Sequence, residues 1–317
     1  MLNYLVKRIF STILVCILLI SFLSLLIYIV PGDPARTILG PRATPELIVK
    51  IHEQMGLDKS PVEQVVTFFS QVLRGNLGTD VFTGRSISDM IFDVLPHSII
   101  LTTASLLLAV LLGIPLGIYS ANNPNTWSDR ILAFFSISFI TIPSYVVGLF
   151  FLMIFSAKLR MFPVIGLGES GNALDYIMHL IIPTVVLALS WVGYLARLVR
   201  TSLLEILNET YITAAKSMGI QNHIILYKYA LKNALIPTVS VLGVGLGKLL
   251  AGTVFVEIIF SRPGMGTLIM NAIENRNYPV VQGVSLIIAL WFVSANLLAD
   301  IINTKLDPRI QIGKGES

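Results

Sequence analysis

Charge is scarce in this chain of 317 residues, since only 13% of them are Asp, Glu, Lys or Arg. An average soluble domain carries about 25% charged residues. Apolar residues make up 55% of the chain, and the mean hydropathy is +0.80. This composition excludes an ordinary soluble globule and predicts a protein whose solvent is the lipid bilayer. The net charge of +4 is too small to indicate nucleic acid as a partner.

Cysteine is almost absent, because Cys16 is the only one in the chain. A single thiol excludes an internal disulfide framework and a cysteine-based zinc site. The four histidines lie far apart and lack the i, i+4 spacing of a helical metal pair, so we expect no metal site. A complete phosphate-binding loop is also missing, since residues 243–248 have glycines spaced one residue too closely. We therefore expect no cofactor bound by this chain and no catalytic residues.

Long apolar runs are what the chain has in abundance. Six of them reach the roughly 20 residues that a helix needs to cross the hydrocarbon core. They are residues 9–30, 98–121, 131–157, 176–196, 233–256 and 277–299. Every backbone polar group in a lipid-embedded segment must be bonded within the protein, which favours helices. The sequence therefore predicts an all-α membrane protein with six transmembrane helices.

Basic residues are distributed unequally around these runs. With the amino terminus inside, eleven Lys and Arg residues fall on the inner side and four in the two short outer loops. Basic residues near short loops stay on the cytoplasmic side of a membrane. Both termini are therefore expected to be cytoplasmic.

The outer segment after the first run, residues 31–96, is expected to be folded and helical. Thr44 and Pro45 are typical of a helix start, and Gly56 is a plausible stop. Ser60 and Glu63 form a capping box at the start of a second helix, which carries an apolar stripe. We expect that stripe to rest on the outer ends of the transmembrane helices or on a partner subunit.

The longest inner connection, residues 197–232, is more polar than the sequence around it. Residues 211–219 are typical of a short helix with small side chains on one side and Gly219 as a left-handed stop. A second helical stretch is predicted at residues 224–235, before Pro237 begins the next run. Small side chains beside a helix-ending glycine favour close approach to another protein. An ordinary surface loop is the alternative on spacing alone.

Two charged residues mark the fifth apolar run. Lys248 lies well inside it, and Glu257 follows nine residues later near the outer end. A charge within the membrane costs several kcal/mol unless it faces protein or water, so both residues predict a translocation pathway or a subunit interface. Because they are about 13 Å apart along a helix, they cannot simply pair with each other. Prolines 115, 143, 183 and 237 are expected to bend the helices or to free carbonyls along the pathway.

Five stretches, taken in order, resemble one known family. They are residues 1–8, 31–34, 200–237, 262–282 and 306–309. The chain resembles, over nearly its whole length, the membrane permease subunits of binding-protein-dependent ABC importers of the dipeptide, oligopeptide and nickel branch. It departs from the superfamily's loop motif in two ways. Thr213 stands where that motif has Glu, and Pro237 lies 18 residues after Gly219, farther than in the general pattern.

The resemblance implies that the inner loop forms a coupling helix seated on a cytoplasmic ATPase. Ala214, Ala215 and Gly219 occupy the matching positions, with Tyr211 and Met218 beside them. It further implies a second homologous permease, two ATP-binding subunits, an extracytoplasmic substrate-binding protein and the bacterial cytoplasmic membrane. ATP and magnesium would belong to the ATPase, so that the chain is a transporter subunit and not an enzyme. Peptides or glutathione-like molecules are the implied substrates, with nickel or a metal chelate as the alternative.

Two other classes of function are weighed against this resemblance. An ion-coupled secondary carrier would show an inverted repeat and paired ionisable groups at the midplane, and the sequence shows neither. A membrane-embedded enzyme would need a catalytic constellation inside the apolar runs, and none is visible. The chain is expected to divide into four segments. Residues 1–30 hold the cytoplasmic amino terminus and the first transmembrane helix, and residues 31–96 form the extracytoplasmic helical segment. Residues 97–304 form the permease core, which includes the coupling loop 197–236, and residues 305–317 form a cytoplasmic tail.

Overall fold

The structure is a computed structural model that describes residues 2–29, 32–40, 43–169 and 171–306. The expected end of the first span at Val30, Pro31 at the start of the outer segment, and the tail beyond residue 306 lie outside the described residues.

Helices dominate the described chain, as the sequence predicts. They are α1 (Leu2–Ile29), α2 (Pro34–Leu39), α3 (Pro45–Met55), α4 (Pro61–Leu73), α5 (Ile87–Asn122), α6 (Trp127–Thr141), α7 (Ser144–Phe151), α8 (Ala173–Leu207), α9 (Thr210–Ser217), α10 (Asn222–Ile224), α11 (Leu231–Ala234), α12 (Ile236–Ile259), α13 (Met265–Glu274) and α14 (Tyr278–Leu306). Two π-helical turns, Leu152–Lys158 and Ile225–Ala230, continue α7 and α10. Across the described ranges the β-pairing is limited to one isolated bridge, between Thr79 and Ser86.

Four of these helices are long and apolar enough to cross a bilayer: α5, α8, α12 and the part of α14 up to Ile301. The third predicted span is instead broken, because α6 and the α7 segment meet at an angle of 103°. Pro143 causes the break, since it has no N–H to donate and disfavours helical geometry at Ile142, which is extended. In α1 the apolar stretch Phe10–Leu26 is shorter than the other four. The count of six spans stays a prediction.

The inner connection differs from its prediction at its start. Residues 197–207 continue α8 as a regular helix and are not a loop. The helix persists because Val199 and Leu203, four residues apart, are fully buried and extend its apolar stripe. Pro183 also lies inside α8, as Pro115 lies inside α5.

The described chain forms two compact units, and one of them comprises residues 1–98 and 263–293. The helix starts expected in its outer segment are confirmed. Ser60 and Glu63 make a reciprocal capping box, Thr44 caps α3, and Gly56 ends α3 in the left-handed conformation at φ +67°. The stripe of α4 packs against α1, forming a core of four buried residues: Cys16, Ile20, Phe68 and Leu286.

A buried carboxylate, Asp80, ties two distant segments of this unit together. Asn277 and the Thr83 hydroxyl both donate hydrogen bonds to it. The backbone amides of Phe82 and Thr83 donate at 3.3 and 3.0 Å. Burial opposes ionisation of this group, but the hydrogen bonds from Thr83, Asn277 and the amides outweigh it and hold the pKa of Asp80 below its usual range.

Within the described residues, the second unit comprises residues 99–262 and 294–306. Its helices pack closely at glycines, as is common for helices in lipid. A Cβ on Gly117 would stand 2.7 Å from the carbonyl oxygen of Ala196, and one on Gly113 would stand 2.9 Å from the Cβ of Leu195. The main chains of α5 and α8 can approach this closely only because these side chains are absent.

Candidate functional site

The short helix α9 lies in the inner connection where the sequence predicts it. It begins after Glu209 and ends at Met218, whose amide donates to the carbonyl of Ala214 at 3.0 Å. Gly219 follows in the left-handed conformation at φ +77°, and an added Cβ would meet no atom within 4 Å. Backbone conformation therefore requires glycine here, and lack of space does not.

Helix α9 has an inward face and an outward face. Ile212 and Ala215, three residues apart, are buried, with Ala215 only 7% exposed. Tyr211 and Met218 on another side are 42% and 79% exposed, and Ala214 between them is exposed as well. Residues at i, i+3 and i+7 share one side of a helix, so these three form a continuous, mostly apolar outward surface.

The inward face of α9 rests on a packed core, and we call α9 with this core the α9 platform. Its buried members are Ala121, Val199, Leu203, Ile212, Ala215, Ile225, Leu226, Ala230 and Ala234. The side-chain amide of Asn233 also donates to the Tyr211 hydroxyl at 3.0 Å. The segments α8, α9 and the stretch that leads into α12 therefore share one packed core.

An ion pair beside the α9 platform fixes α8 to the neighbouring helices. The sequence pattern did not predict it. Arg200 holds Asp129 with both arms of its guanidinium, Nε at 2.7 Å from Oδ1 and Nη2 at 2.8 Å from Oδ2. The Ser120 hydroxyl and the amide of Asn125 also donate to this carboxylate. The pair joins the end of α5, the start of α6 and α8. Thr126, three residues before Asp129, indicates a local cap, but nothing local indicates a partner 71 positions away.

Lys248 lines a cavity of about 470 Å³ between α8 and α12, which we call the α8–α12 cavity. The residues around it are Ile140, Ser190, Trp191, Tyr194, Ser240, Val241, Val244 and Lys248. The indole of Trp191 packs against Gly245, where a Cβ would come within 2.7 Å of the ring. The Tyr194 ring stands edge-on to that indole, with the centroids 5.7 Å apart. The cavity thus has aromatic walls and one cation.

Glu257 lies away from this cavity in a different environment. It is 1% exposed, and its carbonyl accepts the amide of Arg262 at 2.8 Å. The Arg262 guanidinium lies 4.8 Å from the centre of the Tyr176 ring. Burial lowers the pKa of Arg262, and the interactions of its guanidinium with Tyr176 and Glu257 oppose this. The structure therefore brings Glu257 beside Arg262 and does not bring it to Lys248.

Residues 113–312 match the family described as binding-protein-dependent transport system inner membrane component, and residues 1–102 match the amino-terminal region of such components. The chain belongs to this family. It is a permease subunit of an ABC importer, and such subunits are not themselves enzymes. The resemblance inferred from the sequence is therefore confirmed.

Individual relatives of this permease match over almost their full length. It is 36% identical over 309 residues to a probable peptide ABC transporter permease protein, y4tP, of Sinorhizobium fredii, covering 97% of this chain and 99% of the relative. It is 33% identical over 311 residues to the glutathione transport system permease protein GsiC of Pectobacterium atrosepticum, covering 98% and 99%. An inward-facing structure of the MetNI methionine ABC transporter matches 69% of this chain and 96% of its own with TM-score 0.57 and 18% identity, which shows a shared fold.

Proposed function

We propose that this permease moves di- or oligopeptides, or glutathione-like molecules, across the bacterial cytoplasmic membrane by alternating access. The relatives named for peptide and glutathione transport support the substrate class. The single observation that carries the mechanism is α9, which presents an exposed apolar surface on a core shared with α8 and the segment before α12.

In this proposal the outward surface of α9 docks on a cytoplasmic ATPase subunit. Tyr211, Ala214 and Met218 make the contact, since their side chains are exposed on one side. Ala215 faces the core, so its small size sets how closely α9 approaches α8 and does not itself touch the partner. Gly219 follows the docking surface in the left-handed conformation, which ends the helix there.

Transport is then a biased two-state equilibrium. ATP-driven closure of two ATPase subunits moves α9, and the α9 platform carries that movement to α8 and α12. A partner shifts a conformational equilibrium only by binding the two states unequally, so the ATPase must contact the outward surface differently in the inward and outward states. ATP and magnesium are bound by the ATPase in this scheme, and no cofactor by this chain.

The proposed assembly contains this permease, a second homologous permease, two ATPase subunits and an extracytoplasmic substrate-binding protein. The family description, with its dependence on a binding protein, supports that last partner. Six transmembrane helices with both termini cytoplasmic place α9 on the side of the ATPases and the outer helices α2 to α4 on the side of the binding protein. The excess of inner basic residues supports this orientation.

A nickel or metal-chelate substrate is the alternative within the same machinery. Within the part of the chain that the structure describes, no group of three His, Cys, Asp or Glu side chains could hold a metal ion. A chelated metal would need no such ligands, so the substrate must be measured. An ion-coupled secondary carrier is not favoured, because the chain belongs to a family of ABC importer permeases.

The test is reconstitution of the complete transporter in proteoliposomes with Ala214→Arg in this chain. The bulky cation on the docking surface should abolish copurification of the ATPase and ATP-driven uptake of trialanine and glutathione. Asn222→Arg is the matched control, because Asn222 is exposed in the same connection but lies outside α9. Normal uptake in Ala214→Arg, or uptake by the unaltered complex without ATP, would contradict the proposal.

A further inference from the structure

One stripe of α12 carries two of the polar groups that line the α8–α12 cavity. Ser240, Val244 and Lys248 are spaced by four residues and all line the cavity. Eight residues of helix separate the serine from the lysine, which is about 12 Å at 1.5 Å per residue. An extended peptide rises about 3.3 to 3.6 Å per residue, so a chain of about three residues spans this stripe.

Lys248 is the charged end of that stripe, half-way along α12. Among the described residues it has no hydrogen bond or ion-pair partner, whereas Arg200 of the same unit pairs with Asp129. A cation in the hydrocarbon region costs several kcal/mol unless it meets water or an anion. The lysine is therefore placed to receive a negative group that this part of the chain does not supply.

The other polar groups of the cavity fit a different part of a ligand. The Ser240 hydroxyl donates to the carbonyl of Ile236 at 3.1 Å, and the Ser190 hydroxyl to that of Leu187 at 3.4 Å. Because these protons are used within their own helices, the hydroxyl oxygens remain as acceptors for N–H groups. A ligand with a carboxylate at one end and N–H donors along its length would pair with the lysine and also donate to the serine hydroxyls.

The remaining walls are apolar and shaped by Trp191 and Tyr194. Gly245 leaves room for the indole of Trp191 to approach α12 closely, and the Tyr194 ring stands at 75° to the indole. Such walls accept side chains of many shapes without specific hydrogen bonds. A transporter of varied peptides would need such walls for the peptide side chains. The carboxylate and the N–H groups of the peptide would be recognised by charge and by hydrogen bonding.

We propose that Lys248 binds the free carboxylate of a short peptide during translocation, with Ser240 and Ser190 accepting N–H groups farther along the peptide. This rests on the proposed function, since it assigns a peptide-like substrate to the pathway. Lys248 is in this account a specificity-determining residue, which distinguishes free acids from their neutral amides.

The test measures protection of a thiol in the cavity. The complex of both permeases and ATPases carries Cys16→Ala and Val244→Cys in this chain, so the new thiol, on the cavity wall, is the only one in the subunit. N-ethylmaleimide labelling is read by the intact mass of this subunit, with trialanine or its carboxy-terminal amide as the probe. Leaving out the binding protein removes that protein's own selectivity from the measurement.

Trialanine should protect the thiol at about tenfold lower concentration than the amide, the difference expected for one charge-assisted hydrogen bond. Adding Lys248→Met should abolish this preference, and adding Lys248→Arg should retain it. Equal protection by both probes in the presence of Lys248, or a preference that survives in Lys248→Met, would overturn the proposal. Equal labelling rates without peptide show that the variants remain folded.

A second readout separates this inference from the proposed function. If Lys248 pairs with a carboxylate of the second permease, Lys248→Met should lose that subunit on purification while Lys248→Arg keeps it, which overturns the carboxylate proposal. ATP-driven uptake of trialanine by the unaltered transporter with its binding protein would leave the proposed function standing in that case. Absence of such uptake would instead count against the proposed function itself.

Discussion

The α9 platform and the α8–α12 cavity both include residues of the long helix α8, but they differ in whether their charged side chains have partners. At the platform, Arg200 and Asp129 are paired through two hydrogen bonds, and Ile212 and Ala215 are packed into a core. At the cavity, Lys248 is exposed and no described residue pairs with it. Polar side chains that are fully hydrogen-bonded within the protein make a region rigid, so that it can transmit force. Polar side chains without a partner leave a region able to bind a ligand.

The largest expected effect comes from breaking the ion pair. Asp129→Asn should destabilise the unit by about 3 kcal/mol, because it removes the buried carboxylate of the pair and leaves the half-buried Arg200 without its counter-charge. Hydrolysis by the ATPase should then continue while uptake is lost, since α6 and α8 no longer move together. Thermal unfolding in detergent, with hydrolysis and uptake in proteoliposomes, measures this.

Glu205→Gln is the matched control, because Glu205 is an exposed acid on the same helix, α8. A double-mutant cycle with Arg200→Gln isolates the pair. A coupling energy near zero would contradict the bracing role given to Asp129.

The next effect compares the two alanines of α9. Ala215→Leu overpacks the core and should destabilise the unit by about 1–3 kcal/mol. Ala214→Leu adds the same atoms to an exposed surface, so thermal stability should be unchanged while copurification of the ATPase weakens. Swapped results, with Ala214→Leu unstable and Ala215→Leu defective only in docking, would show that the two faces of α9 are assigned the wrong way round.

A smaller effect should follow from narrowing the cavity. Gly245→Ala places a methyl group 2.7 Å from the Trp191 ring, which must move into the cavity and should slow peptide uptake several-fold. Gly252→Ala is the control on the same helix, where the nearest atom, of Leu187, would lie 3.8 Å from the new Cβ. Initial uptake rates measure both, and equal rates would show that Trp191 does not border the path.

The smallest effect concerns Asp80, the fully hydrogen-bonded carboxylate of the unit that contains α1 to α4. Its pKa is lowered in the folded protein, so its ionised form contributes stability above the ordinary Asp value of about 3.9 and loses it as pH falls through the folded pKa. The difference in melting temperature between the unaltered protein and Asp80→Asn should be constant from about pH 7 to pH 5 and shrink below about pH 4. A difference that grows on acidification would contradict the assignment.

Local features of this fold were predictable from sequence. The capping box of Ser60 and Glu63, the left-handed stop at Gly56 and the end of α9 at Gly219 depend on neighbours within four residues. The spacing of Gly113 and Gly117 is typical of helices that pack closely in lipid, but it does not identify α8 as the partner of α5.

Features that depend on distant residues were not predictable from pattern. Asp129 meets Arg200 across 71 positions, and which of the two alanines in α9 faces the core depends on the residues beneath it. The apolar pattern likewise predicted one span at residues 131–157, since Pro143 indicates a bend but not its angle of 103°.

The central claim is that a separate ATPase moves this permease through α9, and cross-linking at Met218 tests it most directly. In the complete transporter, a short bis-maleimide should join Met218→Cys to a cysteine introduced on the facing surface of the ATPase subunit, and the cross-link should stop ATP-driven uptake. Asn122→Cys, exposed at the end of α5, should form no such adduct. Failure of Met218→Cys to form the adduct, or uptake that continues at a normal rate after cross-linking, would contradict the account.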